Sequence, residues 1–141
     1  MKRIIILLLF HSLMITAFAQ QGLHINDALN GKFRKSENAI ETIVMGDQVK
    51  KFGLTLYHNL RVTDKASINY LKQLVNKDGE SAINKEVYLY KGNLNYGLFE
   101  FKPLKGKNKR FIFFYSNDKM AMLIYMEGDT TLEDIKRIIE K

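Results

Sequence analysis

The stretch "RFIFFYSNDKMAMLIYME", residues 110–127, decides the fold of this chain. It contains two apolar runs of strand-forming residues, separated by Asn117 and Asp118. These two residue types tolerate the left-handed backbone of a tight turn, and a tight turn joins strands that pair antiparallel. The stretch therefore predicts a β-hairpin.

The first strand of this hairpin is apolar on both faces. Because side chains alternate along a strand, Phe111, Phe113 and Tyr115 share one face, while Ile112 and Phe114 share the other. Such a strand needs a cover on both sides of its sheet. Helices can supply one cover, and the N-terminal segment, a second subunit or a bound apolar ligand can supply the other. We therefore take Phe111, Phe113 and Tyr115 as a candidate apolar interface.

Four further segments read as strands. The runs "EVYLY" (86–90) and "YGLFEFK" (96–102) flank a turn containing Gly92-Asn93, which predicts that residues 86–127 form a four-strand antiparallel meander. Upstream, "AIETIVMG" (39–46) is rich in β-branched residues, and "LTLYHNLRV" (54–62) alternates with a period of two. The sheet is therefore expected to have about six strands.

Three segments read as helices. The first is the short "HINDALNGKF" (24–33), and the second is "TDKASINYLKQLVNKDG" (63–79), which Thr63 or Asp64 can cap. The third lies in "EGDTTLEDIKRIIEK" (127–141), where Thr130 and Glu133 fit a capping box. The predicted fold class is α+β, with helices packed against an antiparallel sheet in the order α-β-β-α-β-β-β-β-α.

The first twenty residues have the pattern of an export signal. Lys2 and Arg3 precede an apolar run, and Ala17-Phe18-Ala19 forms a small-x-small site that predicts cleavage between Ala19 and Gln20. We therefore expect a cleavable signal peptide over residues 1–19 and a single domain over residues 20–141. The expected destination is the periplasm, with the extracellular space as the alternative.

Composition narrows the classes of function. The chain contains no cysteine, which excludes a disulfide framework and a thiol nucleophile. Loss of Lys2 and Arg3 with the signal reduces the formal net charge from +7 to +5. Nucleic acid is not an expected partner, since an exported protein rarely meets it.

The C-terminal pattern carries a family resemblance. The segment "MLIYMEGDTTLEDIKRIIEK", the "AFAQ" that ends the signal and the "MGDQVKKFGLTLYHNLRV" that leads into a helix resemble small exported domain-of-unknown-function families of Bacteroidota. The resemblance implies a compact α+β fold in a Gram-negative cell envelope, without an established reaction. Some of these relatives are lipoproteins, but this chain lacks the cysteine that lipid attachment requires.

The sequence contains few of the motifs that are typical of catalytic, metal-binding or cofactor-binding sites. His24 and His58 are the two histidines that remain after cleavage, and neither has metal-ligand spacing around it. No phosphate-binding glycine loop or nucleophile elbow occurs, so we expect no cofactor, no metal and no enzymatic activity. The alternative is a small periplasmic hydrolase that uses His58 with a carboxylate.

A basic stretch follows the fourth predicted strand. Lys105, Lys107, Lys109 and Arg110 form a candidate anion-binding surface, which could give peripheral contact with anionic envelope surfaces. The competing interpretation is a solvated loop that keeps a sheet edge soluble. The sequence thus predicts a non-catalytic binding or interaction module whose partner is an envelope protein, an apolar or anionic ligand, or a second copy in a homo-oligomer.

Overall fold

A six-stranded antiparallel sheet organises the chain in a computed structural model, which describes residues 22–104, 106 and 108–140. The strands are β1 (Ala39–Met45), β2 (Leu54–Val62), β3 (Asn84–Tyr90), β4 (Asn93–Phe101), β5 (Lys109–Ser116) and β6 (Ala121–Gly128). Their spatial order is β1-β2-β6-β5-β4-β3, so β1 and β3 form the two edges. The predicted fold class is confirmed, including the C-terminal meander.

Four helices accompany the sheet in the described part of the chain. They are α1 (Asn26–Leu29), α2 (Asp47–Lys50), α3 (Lys65–Gly79) and α4 (Leu132–Ile139). Three of them match the predicted helices, and α2 adds a single turn between β1 and β2. The described helices include none that is long and apolar enough to cross a membrane.

Two of the three connections in the meander are tight turns. Between β5 and β6, the Asn117 side-chain oxygen accepts from the amides of Lys119 at 2.8 Å and Met120 at 2.9 Å. Between β3 and β4, the loop consists of Lys91 and Gly92, with φ angles of 51° and 77°. Positive φ at both positions is the requirement of a type I′ turn. The four-residue turn, 90–93, contains the predicted Gly92-Asn93, with Lys91 and Gly92 at its centre.

The first face of the sheet packs against α1 and α3. Ile112, Phe114 and Leu123 are fully buried on this face, together with Leu71 and Val75 of α3. The amide of Ser67 donates to the Asp64 carboxylate at 2.9 Å, which confirms one of the two predicted caps of α3.

The second face packs against α2 and α4. Phe111 is fully buried there and Phe113 is 5% exposed, in a cluster with Val49 of α2 and Ile135 of α4. The strand β5 is therefore covered on both faces within one chain.

The cap of α4 is one residue later than predicted. The Thr131 hydroxyl accepts from the Asp134 amide at 3.1 Å, whereas Thr130 is buried and its carbonyl accepts from Lys109 Nζ at 3.2 Å. The helix begins at Leu132, so the residue at the N-cap position, with extended backbone, is Thr131 rather than Thr130. The predicted capping box from Thr130 to Glu133 is wrong.

A buried carboxylate fixes the N-terminal segment. Asp78, near the C-terminal end of α3, is 1% exposed and accepts from the amides of His24 at 2.6 Å and Ile25 at 2.9 Å. His24 Nδ1 lies 3.0 Å from the same carboxylate. The dipole of α3 disfavours an anion at this end, and these donors offset that cost. The contact holds Ile25, which is fully buried, in the core.

We expect Asp78→Ala to lower the free energy of unfolding by about 3 kcal/mol, because it leaves the buried amide of Ile25 and the partly buried amide of His24 without their acceptor. The measurement is urea denaturation followed by circular dichroism. Glu80→Ala changes an exposed neighbouring carboxylate and should shift stability by less than about 0.5 kcal/mol. Equal effects of the two substitutions would contradict the proposed role of Asp78.

Candidate functional site

An apolar groove opens on the second face of the sheet, between α2 and α4. Its volume is about 490 Å³. The floor comes from four strands and consists of Val44, Leu54, Tyr57, Phe113, Met122, Ile124 and Met126. The walls consist of Gln48 and Val49 of α2, Phe52 just after it, and Ile138 and Ile139 of α4. Ten of these twelve side chains are fully apolar, Gln48 and Tyr57 being the exceptions.

The groove exists because the two covering helices are short. An α-helix rises 1.5 Å per residue, so the eight residues of α4 extend about 12 Å, whereas six strands spaced 4.8 Å apart span about 24 Å. The single turn of α2 lies over β1 and β2, and α4 lies against β4. The central strands β6 and β5 therefore form a floor that neither helix covers completely.

The walls are more exposed than the floor. Phe113 and Met126 are buried, while Ile138 and Ile139 are half-buried and Phe52 is 41% exposed. A ligand in the groove would therefore remove apolar surface of the walls from water without displacing the packed floor. Burial of such surface contributes roughly 25 cal/mol per Å².

Few polar groups face this groove. The Tyr57 hydroxyl accepts from Asn59 Nδ2 at 3.1 Å, and the same nitrogen lies 3.6 Å from Met122 Sδ. At the rim, Lys51 Nζ lies 5.0 Å from the centre of the Phe52 ring. The groove thus offers an apolar interior with a cation beside its exposed aromatic wall.

An ion pair fastens α4, one wall of the groove, to the edge of the sheet. Lys136 Nζ lies 2.9 Å and 3.1 Å from the two carboxylate oxygens of Glu86 on β3, and the Tyr88 hydroxyl donates to Glu86 at 2.9 Å. The hydrogen bond from Lys136 lowers the pKa of Glu86, and the same bond raises the pKa of Lys136. The hydrogen bond to Glu86 raises the pKa of Tyr88.

The candidate apolar interface maps partly onto the groove. Phe113 forms part of the floor, Phe111 is fully buried on the same face, and Tyr115 is half-buried there. The wall formed by α4 belongs to a predicted helix, whereas sequence reasoning missed the wall formed by α2, which was not predicted. The signal that could have located this wall is "VKKF" (49–52), in which Val49 and Phe52 are three residues apart, the spacing of one helical face.

The candidate anion-binding residues have different environments. Lys105 and Lys107 lie outside the described residues. Lys109 Nζ donates to the Thr130 carbonyl, and the Arg110 guanidinium donates to the Lys102 carbonyl from Nε at 3.3 Å and Nη2 at 2.9 Å. Arg110 is 8% exposed, so its side chain helps to tie the ends of β4 and β5 together. An anion-binding surface on this stretch stays a prediction, as does signal cleavage between Ala19 and Gln20, which also lie outside the described residues.

His58 does meet a carboxylate. Its Nε2 lies 2.5 Å from Oε1 of Glu41 on the neighbouring strand β1. The imidazole is buried, with 4% of the residue exposed, and lies on the face opposite the groove. The pair joins the edge strand β1 to β2, as cross-strand pairs commonly do. In the described part of the chain, no cluster of three or more histidine, cysteine or acidic residues could hold a metal ion.

Comparison with known proteins identifies a family and no individual relative. Residues 12–139 match the family model described as "Family of unknown function (DUF6108)". No curated protein and no solved structure matches the chain. The family match spans the whole sheet and all four described helices.

We expect Lys136→Met to loosen α4, because it removes the ion pair with Glu86. Hydrogen exchange of the amides in residues 132–139 should become faster. The pKa of Glu86 in the folded state is below its ordinary value of 4.5. The ionised carboxylate therefore contributes to the free energy of unfolding above pH 4.5, and this contribution is lost as the pH falls through the folded-state pKa. The pKa of Lys136 in the folded state is raised above its ordinary value of 10.5. The charged amine therefore contributes to the free energy of unfolding up to pH 10.5, and this contribution is lost as the pH rises through the folded-state pKa.

The stability difference between wild type and Lys136→Met should therefore be constant between about pH 4.5 and 10.5 and should shrink on either side. Urea denaturation across this range measures it. Lys119→Met, at an exposed turn lysine, is the control and should leave exchange in α4 unchanged. A pH-independent difference would contradict the ion-pair explanation.

Proposed function

The chain belongs to the DUF6108 family, whose function is unknown, and we propose that this member is an exported, non-catalytic binding module. Its ligand site is the groove between α2 and α4. The ligand is an anionic amphiphile, such as a fatty acid or a lipid, whose hydrocarbon chain enters the groove.

The observation that carries this proposal is the apolar groove itself. Its volume of about 490 Å³ lies within the range of roughly 300–1,000 Å³ that is typical of small-molecule sites. Its walls include the exposed ring of Phe52, and its floor includes Met122 and Met126, whose flexible thioethers adapt to ligands of different shape. These properties suit a hydrocarbon chain.

The scarcity of polar groups favours a hydrocarbon chain over a peptide. A peptide segment would bring backbone amides and carbonyls into the groove, and each would need a hydrogen-bond partner. The groove is lined by two residues with polar groups, and the Tyr57 hydroxyl already accepts a hydrogen bond from Asn59. A methylene chain has no hydrogen-bonding groups and therefore needs no such partner.

Charge favours an anionic head group. Lys51 lies beside the Phe52 wall, and Lys50 ends α2 on the same side of the groove. Without Lys2 and Arg3, which leave with the expected signal, the chain carries a formal net charge of +5. These cations would attract a carboxylate or phosphate at the rim, and salt would screen this attraction.

Two other features support the export and the non-catalytic parts of the proposal. The N-terminal pattern ending in "AFAQ" is typical of a cleaved signal, and an envelope compartment is rich in amphiphiles. The His58–Glu41 pair is buried on the opposite face of the sheet, away from the groove. A ligand in the groove would therefore not contact this imidazole.

We expect Phe52→Ala to weaken the binding of dansyl-undecanoic acid by about fivefold, since a loss of about 1 kcal/mol of apolar contact has that effect on affinity. Dansyl fluorescence, which rises and shifts to the blue in apolar surroundings, measures the binding. Ile83→Ala truncates another exposed apolar side chain away from the groove and should leave the affinity unchanged. Failure of the wild-type protein to bind the probe, or equal loss in both variants, would refute the groove as the site.

We expect Lys51→Glu to weaken the binding of dansyl-undecanoic acid but not of its methyl ester, because the ester carries no charge. The affinity for the acid should fall about fivefold at low ionic strength and by a smaller factor at high salt. Lys72→Glu, on α3 and thus on the opposite side of the sheet, is the control for net charge. Equal weakening of acid and ester would contradict a charge contact at the rim.

A further inference from the structure

The edge strand β3 exposes an unbroken apolar run. The exposed fractions are 37% for Val87, 57% for Tyr88, 63% for Leu89 and 65% for Tyr90. The strand is the last of the sheet and pairs with β4 on its inner side. Its outer side therefore presents a row of backbone groups, flanked on both faces of the sheet by large apolar side chains.

Little in this strand prevents pairing with another strand. Edges are commonly protected by inward-pointing charges, proline or a bulge in the edge strand. In β3 the charged residues are confined to Lys85 and Glu86 at its start, and Lys136 neutralises Glu86. The irregularity between β3 and β4 places the extra residue, Asn95, in β4, so β3 keeps a regular backbone.

We infer that β3 pairs antiparallel with β3 of a second copy of this chain, across a two-fold axis at Val87. The two sheets then form one continuous sheet of twelve strands. The inference is independent of the groove, whose floor belongs to β1, β2, β5 and β6.

The side chains of β3 are complementary to themselves in this register. On one face Val87 meets Val87 of the second copy, and Leu89 meets the aliphatic part of Lys85. On the other face Glu86 meets Tyr88, a pairing of carboxylate and phenol that already occurs within one chain at 2.9 Å. No like charges stand directly opposite each other, whereas an axis at Tyr88 would place Lys85 opposite Lys91 and would be disfavoured.

The other edge is a weaker partner. In β1 the apolar run is shorter, since it comprises the three residues from Ile43 to Met45, and Glu41 and Thr42 separate it from the exposed Ile40. Pairing of β3 with β1 of a second copy would also be heterologous and would extend into an open chain of molecules. Pairing of β3 with itself closes after two copies.

Single cysteines test the register, because the chain contains no other thiol. Val87→Cys should give a disulfide-linked dimer under mild oxidation, since the two residues face each other at the axis. Tyr90→Cys is at a more exposed position, 65% against 37% for Val87, but six residues separate it from its counterpart along the paired strands, about 20 Å, so it should not cross-link. Ile43→Cys reports on the β1 edge and should also stay uncross-linked.

Two substitutions at Leu89 provide an independent test by light scattering after size exclusion. Leu89→Lys places a lysine opposite Lys85 of the second copy twice per dimer and should raise the dimer dissociation constant at least tenfold at low salt. Leu89→Glu places an opposite charge there and should retain the dimer. Thermal melts check that both variants fold, which the exposure of Leu89 favours.

Three results would overturn the inference. The first is a wild-type protein that stays monomeric at the highest soluble concentration, which would leave the edge for a strand of another protein. The second is cross-linking through Ile43→Cys or assemblies that grow beyond the dimer, which would indicate the β1 edge. The third is an equal response of the dimer to Leu89→Lys and Leu89→Glu.

Discussion

The structure depends on one constraint, the need to cover both faces of the strand β5. Ile112 and Phe114 point to one face and Phe111 and Phe113 to the other, and each is at most 5% exposed. Exposing two such large apolar side chains on either face would cost several kcal/mol, a large part of the stability of a domain of this size. The central position of β5, between β6 and β4, and the helices on both sides of the sheet follow from this requirement.

The two covers are unequal, and the candidate site results from that inequality. The fifteen residues of α3, with α1 beside it, cover the first face, whereas the second face has the four residues of α2 and the eight of α4. The short helices bury Phe111 but leave an apolar groove over the central strands. A fold whose function was only to bury its core would gain from a longer helix at this place.

Charged groups in this chain mainly hold elements together. Asp78 fixes the N-terminal segment to α3, Glu41 meets His58 between β1 and β2, and Glu86 binds Lys136 between β3 and α4. The aromatic rings of Tyr88, Tyr96 and Phe113 lie in a row with centroids 5.4 Å and 5.3 Å apart, which places the exposed edge of the sheet in contact with the floor of the groove.

The sequence by itself determined the elements that have a local pattern. The period of two in β2, the turn at Asn117 and the cap at Asp64 act over a few residues, so they could be predicted and were correct. The single turn of α2 is too short for a periodic pattern. The choice between the adjacent Thr130 and Thr131 as the cap of α4 depends on where the helix starts, and its packing against the sheet decides that. The tertiary structure alone decided which residues line the groove, which carboxylate meets His58 and which strands form the edges. These outcomes depend on the packing of segments far apart in the chain, such as β2 against β6, which no local pattern specifies.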